Sequence, residues 1–199
     1  SQIMSDLFTL RMNKLYELIN RISEEENYEK VIESILKAPK SFVDSSEIAL
    51  LVRFGGSLKV SLKQDFTETP PNTLKIGISE GKGYTCYVAQ TRKPFYCANV
   101  TDSNKYPYYL EVVPTTKSQY TVPLIYRKDL IGVLNIGSKI EYGFTLHDRI
   151  LIDFFASLAA NAVYNSKLIK ELRTISHQVN QKLNNVDFLE SSIIKKIGT

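Results

Sequence analysis

From Leu158 to the end of the chain, twelve positions recur at intervals of four, three, four and three residues. They are Leu158, Ala162, Asn165, Ile169, Leu172, Ser176, Val179, Leu183, Val186, Glu190, Ile193 and Ile197. Nine of the twelve are apolar, and no Pro or Gly intervenes before Gly198, so the stretch predicts one continuous helix with an apolar heptad seam. At 1.5 Å per residue this is about 60 Å of helix. A chain of 199 residues makes too small a body to bury such a stripe along its whole length. The seam therefore predicts a partner helix, with Ile169, Leu172, Val179, Leu183 and Val186 as its dimerisation contacts. Asn165, Ser176 and Glu190 weaken it and are placed to set register, as a buried Asn does in coiled coils.

The chain opens on a second narrow stripe. Met4, Phe8, Met12, Leu15, Ile19 and Ile22 predict a helix over residues 1–23, with Leu15, Ile19 and Ile22 as further dimerisation contacts. Ser23, with Glu26 three residues on, fits a capping box for the next helix. That helix presents the broader face Val31, Ile32, Ile35 and Leu36 and is stopped by Pro39.

Between these helical ends the period changes to two. Ile48 to Phe54 is continuously apolar, as in a central strand; Gly55-Gly56-Ser57 turns the chain, and Leu58, Val60 and Leu62 alternate with polar residues. Glu68 to Asn72, with Pro70 and Pro71, predicts a loop. A short apolar stretch at Leu74, Ile76 and Ile78 leads into Gly81-Lys82-Gly83, a helix over Tyr84 to Thr91, and a strand at Phe95 to Ala98. Tyr120 to Tyr126 and Leu130 to Ile136 read as a hairpin turned by Arg127, Lys128 and Asp129, with Leu130, Gly132, Leu134 and Ile136 on one face. Both runs are too apolar for a sheet edge. Gly132 sits mid-strand, where close approach of backbone or ligand accounts for its missing side chain. Asn99 to Lys117 has no period, the pattern of a segment that covers a site. Thr145, with Asp148 three residues on, caps the long helix.

Composition excludes several classes. Hydrophobic residues make up 43% and charged residues 23%, the balance of a soluble domain, and no apolar run approaches the roughly 20 residues of a membrane span. No signal-peptide pattern heads the chain, and a start at Ser1 rather than Met fits a fragment. Two cysteines do not make a disulfide framework, which points to a reducing cytoplasm. From Asn165 onward six basic residues face three acidic ones, so three of the four net positive charges lie on the tail. The nearly neutral remainder argues against a nucleic-acid surface. Two His and two Cys without ligand spacing give no metal site. His147 and His177 read as surface residues rather than haem ligands. Asp102 and Glu111 have no His near them in sequence, so no catalytic triad or paired-carboxylate site is indicated.

From about Tyr28 to Leu168 the chain resembles a GAF domain, the small-molecule sensing module of signalling proteins. The resemblance is carried by Gly81-Lys82-Gly83-Tyr84 with Val88-Ala89, Lys93-Pro94, Asn99-Val100 with Asp102, and Val122-Pro123-Leu124. It continues through Ile131-Gly132-Val133-Leu134, Phe144-Thr145 with Asp148, and Ala159 to Asn165. It implies an α+β, GAF/PAS-like fold: a central antiparallel sheet of five or six strands, terminal helices on one face, and a ligand pocket on the other beneath residues 99–117. The expected organisation is an N-terminal dimerisation helix (1–23), the GAF-like domain (24–164) and a coiled-coil signalling helix (165–199). The expected role is that of a cytoplasmic, non-enzymatic sensor. It works as a homodimer, takes a small molecule or partner, and signals to a downstream effector domain without touching membrane or nucleic acid.

The predicted pocket residues are Tyr84, Cys86, Asp102, Tyr106, Tyr109, Ser118 and Tyr120, the tyrosines because they join apolar area to a polar tip. No cofactor is indicated. Two alternatives stay open: a ligand-free dimerisation module, and a thiol switch or reductase built on Cys86 and Cys97. Free methionine sulfoxide reductases share this fold and use a cysteine in the segment before the central strand, and Leu110 to Lys117 contains none. Bilin attachment fails on the same ground.

Overall fold

The computed structural model describes residues 1–64, 75–79 and 81–198. The predicted loop at 68–72 and the positions Leu74 and Glu80 lie outside them. Elements follow in the order α1 (Gln2–Glu24), α2 (Tyr28–Lys37), β1 (Ile48–Phe54), β2 (Ser57–Gln64) and β3 (Lys75–Gly77). Then come α3 (Gly83–Thr91), β4 (Phe95–Cys97), β5 (Ser118–Tyr126), β6 (Asp129–Ser138) and α4 (Leu146–Ile197). The sheet has the order β3-β2-β1-β6-β5-β4, with every pairing antiparallel. The expected α+β fold with a six-stranded antiparallel sheet is the observed one.

Two of the predicted junctions differ. The cap of α2 is Asn27, whose side chain accepts from the Lys30 amide at 3.0 Å. Ser23 instead still belongs to α1 and donates to the Ile19 carbonyl at 2.8 Å. The β5–β6 turn is two residues, Arg127 and Lys128, both with positive φ (48° and 70°), the geometry that matches the twist of flanking strands. Leu124 pairs with Gly132 and Ile125 with Leu130, so Ile131 is an extra residue. This bulge turns Leu130 away from Leu134 and Ile136 to the opposite face, a correction to simple alternation. A Cβ on Gly132 would overlap the Leu51 carbonyl, so close backbone approach explains that glycine.

One face of the sheet packs on α1, α2 and α4. Ile48, Leu50, Val52, Val122, Leu124, Leu134 and Ile136 meet Ile32, Ile35, Leu151, Phe155, Ala159 and Val163 in one continuous core. Leu15, Ile19 and Ile22 are buried in that same core. Their assignment as dimer contacts is corrected: the broad face of α4 and the side of α2 leave a groove that α1 fills, so the stripe finds its partner within the chain. The helix α1 runs alongside α4 in the same direction. Arg11 pairs with Asp148 and donates to the Phe42 carbonyl near the start of α4, and Arg173 reaches Glu26 at 2.7 Å farther along.

The opposite face packs more thinly, with Ala49, Leu51, Leu58, Val60, Leu130 and Val133 against Val88 and Ala89 of α3. Residues 99–117 complete this layer. Their ends are tied by the Val100 amide to the Lys117 carbonyl (3.0 Å), and the Lys117 amide bonds the Ser138 carbonyl (2.8 Å).

The 52-residue α4 begins with the expected capping box: Thr145 accepts from the Asp148 amide and Asp148 accepts from the Thr145 amide. Its first third is buried on the sheet. Farther along it leaves the body, and Leu172, Val179, Leu183 and Val186 are 49–57% exposed. Ile169 is half-buried. Among the described residues no helix is long and apolar enough to cross a membrane.

Candidate functional site

A cavity of about 120 Å³ lies on the thinly packed face, between the sheet and residues 109–116. Its floor is Glu47, Ala49 and Leu51 at β1, Val60 of β2, Gln119 of β5, and Asn135 and Gly137 of β6. Its walls and roof are Ile76, Thr85, Tyr109, Val112, Val113 and Thr116. A dry engineered cavity of roughly 150 Å³ accepts a benzene-sized molecule, so this one suits a small ligand.

The floor is polar at one end. Glu47 is 7% exposed, and its carboxylate accepts from the hydroxyls of Ser46 and Thr116. The space it occupies exists because residue 137 is glycine: a Cβ there would fall within the Glu47 carboxylate. The Glu47 carbonyl accepts from the Gly137 amide at 2.9 Å and the Gly137 carbonyl from the Ser46 amide at 2.8 Å, which fixes β1 against β6 at this point. Asn135 donates through Nδ2 to Thr85 Oγ1 at 2.7 Å, while its buried Oδ1 has no partner. Burial, reinforced by the negative Glu47 nearby, pushes the Tyr109 hydroxyl up to about 12, and its hydrogen bond with Thr116 opposes that rise. Tyr109 is therefore a neutral donor and acceptor at physiological pH.

Of the seven predicted pocket residues, Tyr109 alone lines this cavity. Ser118 and Tyr120 are corrected to the other face of β5. Ser118 Oγ donates to the Ile140 carbonyl at 2.7 Å, and Tyr120 Oη donates to Asp153 Oδ1 of α4 at 2.6 Å. Successive strand residues point to opposite faces, so the pocket residue is Gln119 between them. Tyr84 and Tyr106 are corrected to an aromatic cluster around Phe95. Tyr84 stacks on Phe95 with ring centroids 4.1 Å apart, and Tyr106 meets the same ring edge-on at 6.2 Å. Asp102 closes a local turn, accepting from the Lys105 amide at 3.1 Å through Oδ1. Cys86 is buried behind the Gly81 turn, its Sγ 3.8 Å from the Gly77 carbonyl, in the space a Cβ on Gly81 would need. That packing explains Gly81, and a φ of 85° explains Gly83.

Sequence reasoning missed Glu47, Thr85, Thr116, Gln119, Asn135 and Gly137. One signal for them exists. Asn135 is a polar residue inside the otherwise apolar run Leu130–Ile136, and Glu47 abuts the apolar β1; polar groups in central strands need a reason.

Both cysteines are free and buried. Burial raises the Cys86 thiol and pushes that of Cys97 up to about 11, so neither is a thiolate at neutral pH. Among the described residues no group of three or more His, Cys, Asp and Glu side chains is arranged to hold a metal ion.

No curated protein matches the chain by sequence. Among solved structures, the GAF domain from a phosphoenolpyruvate-protein phosphotransferase of Coxiella burnetii superposes with a TM-score of 0.69 at 13% identity. That match covers 81% of this chain and 96% of the other. A free methionine-R-sulfoxide reductase from Neisseria meningitidis, in complex with its substrate, gives a TM-score of 0.68 at 15% identity, covering 81% and 92%. A putative GAF sensor protein from Burkholderia vietnamiensis gives 0.66 at 18%, covering 81% and 96%. At these identities the likeness concerns fold. The family profile described as the GAF domain matches residues 25–163, and on that match the chain belongs to the GAF domain family.

Proposed function

We propose that this GAF domain is the sensory part of a cytoplasmic signalling protein: it binds a small molecule under residues 109–116 and transmits the event through a parallel homodimer of α4. The observation that carries the reading is the cavity, with a buried carboxylate and an unpartnered amide oxygen on its floor. A face that served packing alone would be closed mainly by apolar side chains, as the other face of the same sheet is.

Transmission has a physical route. Gln119 faces the cavity and Tyr120, next along β5, holds Asp153 of α4. A ligand that moves Thr116 or Gln119 shifts Ser118 to Tyr120, and with them the start of α4. The long helix then carries the change to an effector domain, as a two-state shift in its packing angle. The exposed seam Leu172, Val179, Leu183 and Val186, with Ile169 at its root, supplies the dimer contacts. On this reading 24–164 senses and 165–199 transmits, while 1–23 supports the sensor.

Protonated, buried thiols favour a regulatory domain over a sulfoxide reductase, which needs a reactive thiolate. The test is a thermal-shift screen of small metabolites on the wild type beside Ala49→Phe, which fills the cavity. Compounds that stabilise the wild type should leave the variant unmoved. Equal shifts in both would place binding elsewhere, and no shift with any compound would favour a ligand-free dimerisation module.

A further inference from the structure

The cavity has an uneven set of polar groups. Among the described residues Glu47 is the one charged residue lining it, and none makes an ion pair with it. Its carboxylate receives two hydroxyl hydrogen bonds, from Ser46 and Thr116, and an ionised carboxylate has about four acceptor sites. The Asn135 oxygen is a further buried acceptor with nothing donating to it. Turning that amide over would leave its NH₂ group unmatched instead, so one end of Asn135 lacks a partner in either orientation.

The two acceptors are neighbours. Ala49 lies opposite Asn135 across β1 and β6, and Glu47 bonds Gly137 two residues along, so Glu47 and Asn135 are diagonal partners on one face, roughly 7–8 Å apart at the backbone. Around them the lining is Ala49, Leu51, Val60, Ile76, Val112 and Val113. Among the described residues no basic side chain lines the cavity to receive a ligand carboxylate or phosphate.

We infer that the ligand is a small apolar amine, its ammonium group held by the Glu47 carboxylate and the Asn135 amide oxygen and its hydrocarbon part lying against Leu51, Val60 and Val112. An ammonium group has three N–H donors and no acceptor, which complements this floor. Its charge also supplies the counter-ion that a buried carboxylate otherwise lacks. Tyr109 and Thr116 close over it from the roof. This inference rests on the cavity being a ligand site.

The experiment is a titration of the full chain with n-butylamine, butan-1-ol and butyrate, three probes of one shape and three poles, followed by the backbone amide shifts of Thr85, Thr116 and Asn135. Butylammonium should bind tenfold or more tightly than the alcohol, the size of a charge-assisted hydrogen bond, and butyrate should bind most weakly. Glu47→Gln, which keeps the shape and lets one hydroxyl turn round to accept from the new NH₂ group, should bring the amine to the level of the alcohol. An alcohol or carboxylate that binds as tightly as the amine overturns the amine assignment and leaves the cavity reading standing, as does a Glu47→Gln chain that keeps the preference. Three probes that all fail to move the cavity amides overturn both. The wild-type comparison decides the matter even if Glu47→Gln does not fold.

Discussion

Two halves of α4 are built from the same kinds of residue and meet opposite fates. Over 146–166 the helix buries Leu151, Ile152, Phe155, Ala156, Ala159, Ala160, Ala162 and Val163, a wide face with small residues that lets it lie close on a flat sheet. Over 168–197 it carries Leu172, Ile175, Val179, Leu183, Val186 and Ile193, and every one is exposed. The difference is one of width. Pairs of adjacent apolar residues make a face for a sheet, while single residues at intervals of four and three make a seam for another helix. An unpartnered helix of this length in water is held only by propensity and local pairs, so the outer half gains most of its stability from whatever covers the seam.

The contrast can be broken most forcefully at Phe155. It is fully buried, and Phe155→Ala should cost about 3–5 kcal/mol of unfolding free energy in urea titrations. Leu183→Ala, on the same helix and 57% exposed, should cost under about 0.5 kcal/mol when the chain is dilute enough to be monomeric. Comparable losses at both positions would mean that the outer half is packed within the chain.

A smaller effect sharpens the inner half. Tyr120→Phe removes the donor to Asp153 and should cost about 1–3 kcal/mol at neutral pH. Burial raises the folded-state pKa of Asp153 above its unfolded value, with Tyr120 and Arg149 opposing. The stabilisation of the protonated form is therefore fully present below the unfolded pKa and is lost as pH rises through the folded one. The cost of Tyr120→Phe should accordingly shrink as pH falls toward 4, read from thermal unfolding of both chains. A cost independent of pH would mean that the ionised carboxylate does not rely on this hydroxyl.

The sequence displayed the scaffold far better than the site. Helices and strands announce themselves by local period, and Ile48–Phe54, the Thr145 capping box and the seam after Leu158 all lie where that period puts them. The two faces of the sheet are harder to assign, because a single residue decides the face. Ser118 and Tyr120 have the chemistry of pocket residues, but the pleat sends them toward α4 and gives the cavity Gln119. The aromatic residues before the hairpin were equally ambiguous: Tyr84 and Tyr106 pack with Phe95, and Tyr109 reaches the cavity. Glu47 gave only a faint signal, its place at the edge of the apolar β1, for another reason. Its environment is assembled from Ser46, Thr116 and Gly137, three separate parts of the chain, and no local pattern joins them.

The amino-terminal stripe makes the same point in reverse. Leu15, Ile19 and Ile22 have the spacing of the outer α4 seam, yet they are buried against α2 and α4. A narrow stripe asks for a partner and does not say whose. For α1 the partner lies in the same chain; for residues 168–197 nothing among the described residues covers the seam, which is why a second copy is proposed there.

Sedimentation velocity tests that proposal most directly, run on the wild-type chain and on Leu172→Glu combined with Leu183→Glu at tens of micromolar. The wild type should sediment as a dimer. The double variant should be monomeric, its dimer Kd raised by about a hundredfold or more because two carboxylates would have to enter an apolar seam, with the near-ultraviolet signature of the sheet domain unchanged. A wild type that stays monomeric, or a double variant that remains dimeric, would contradict the account.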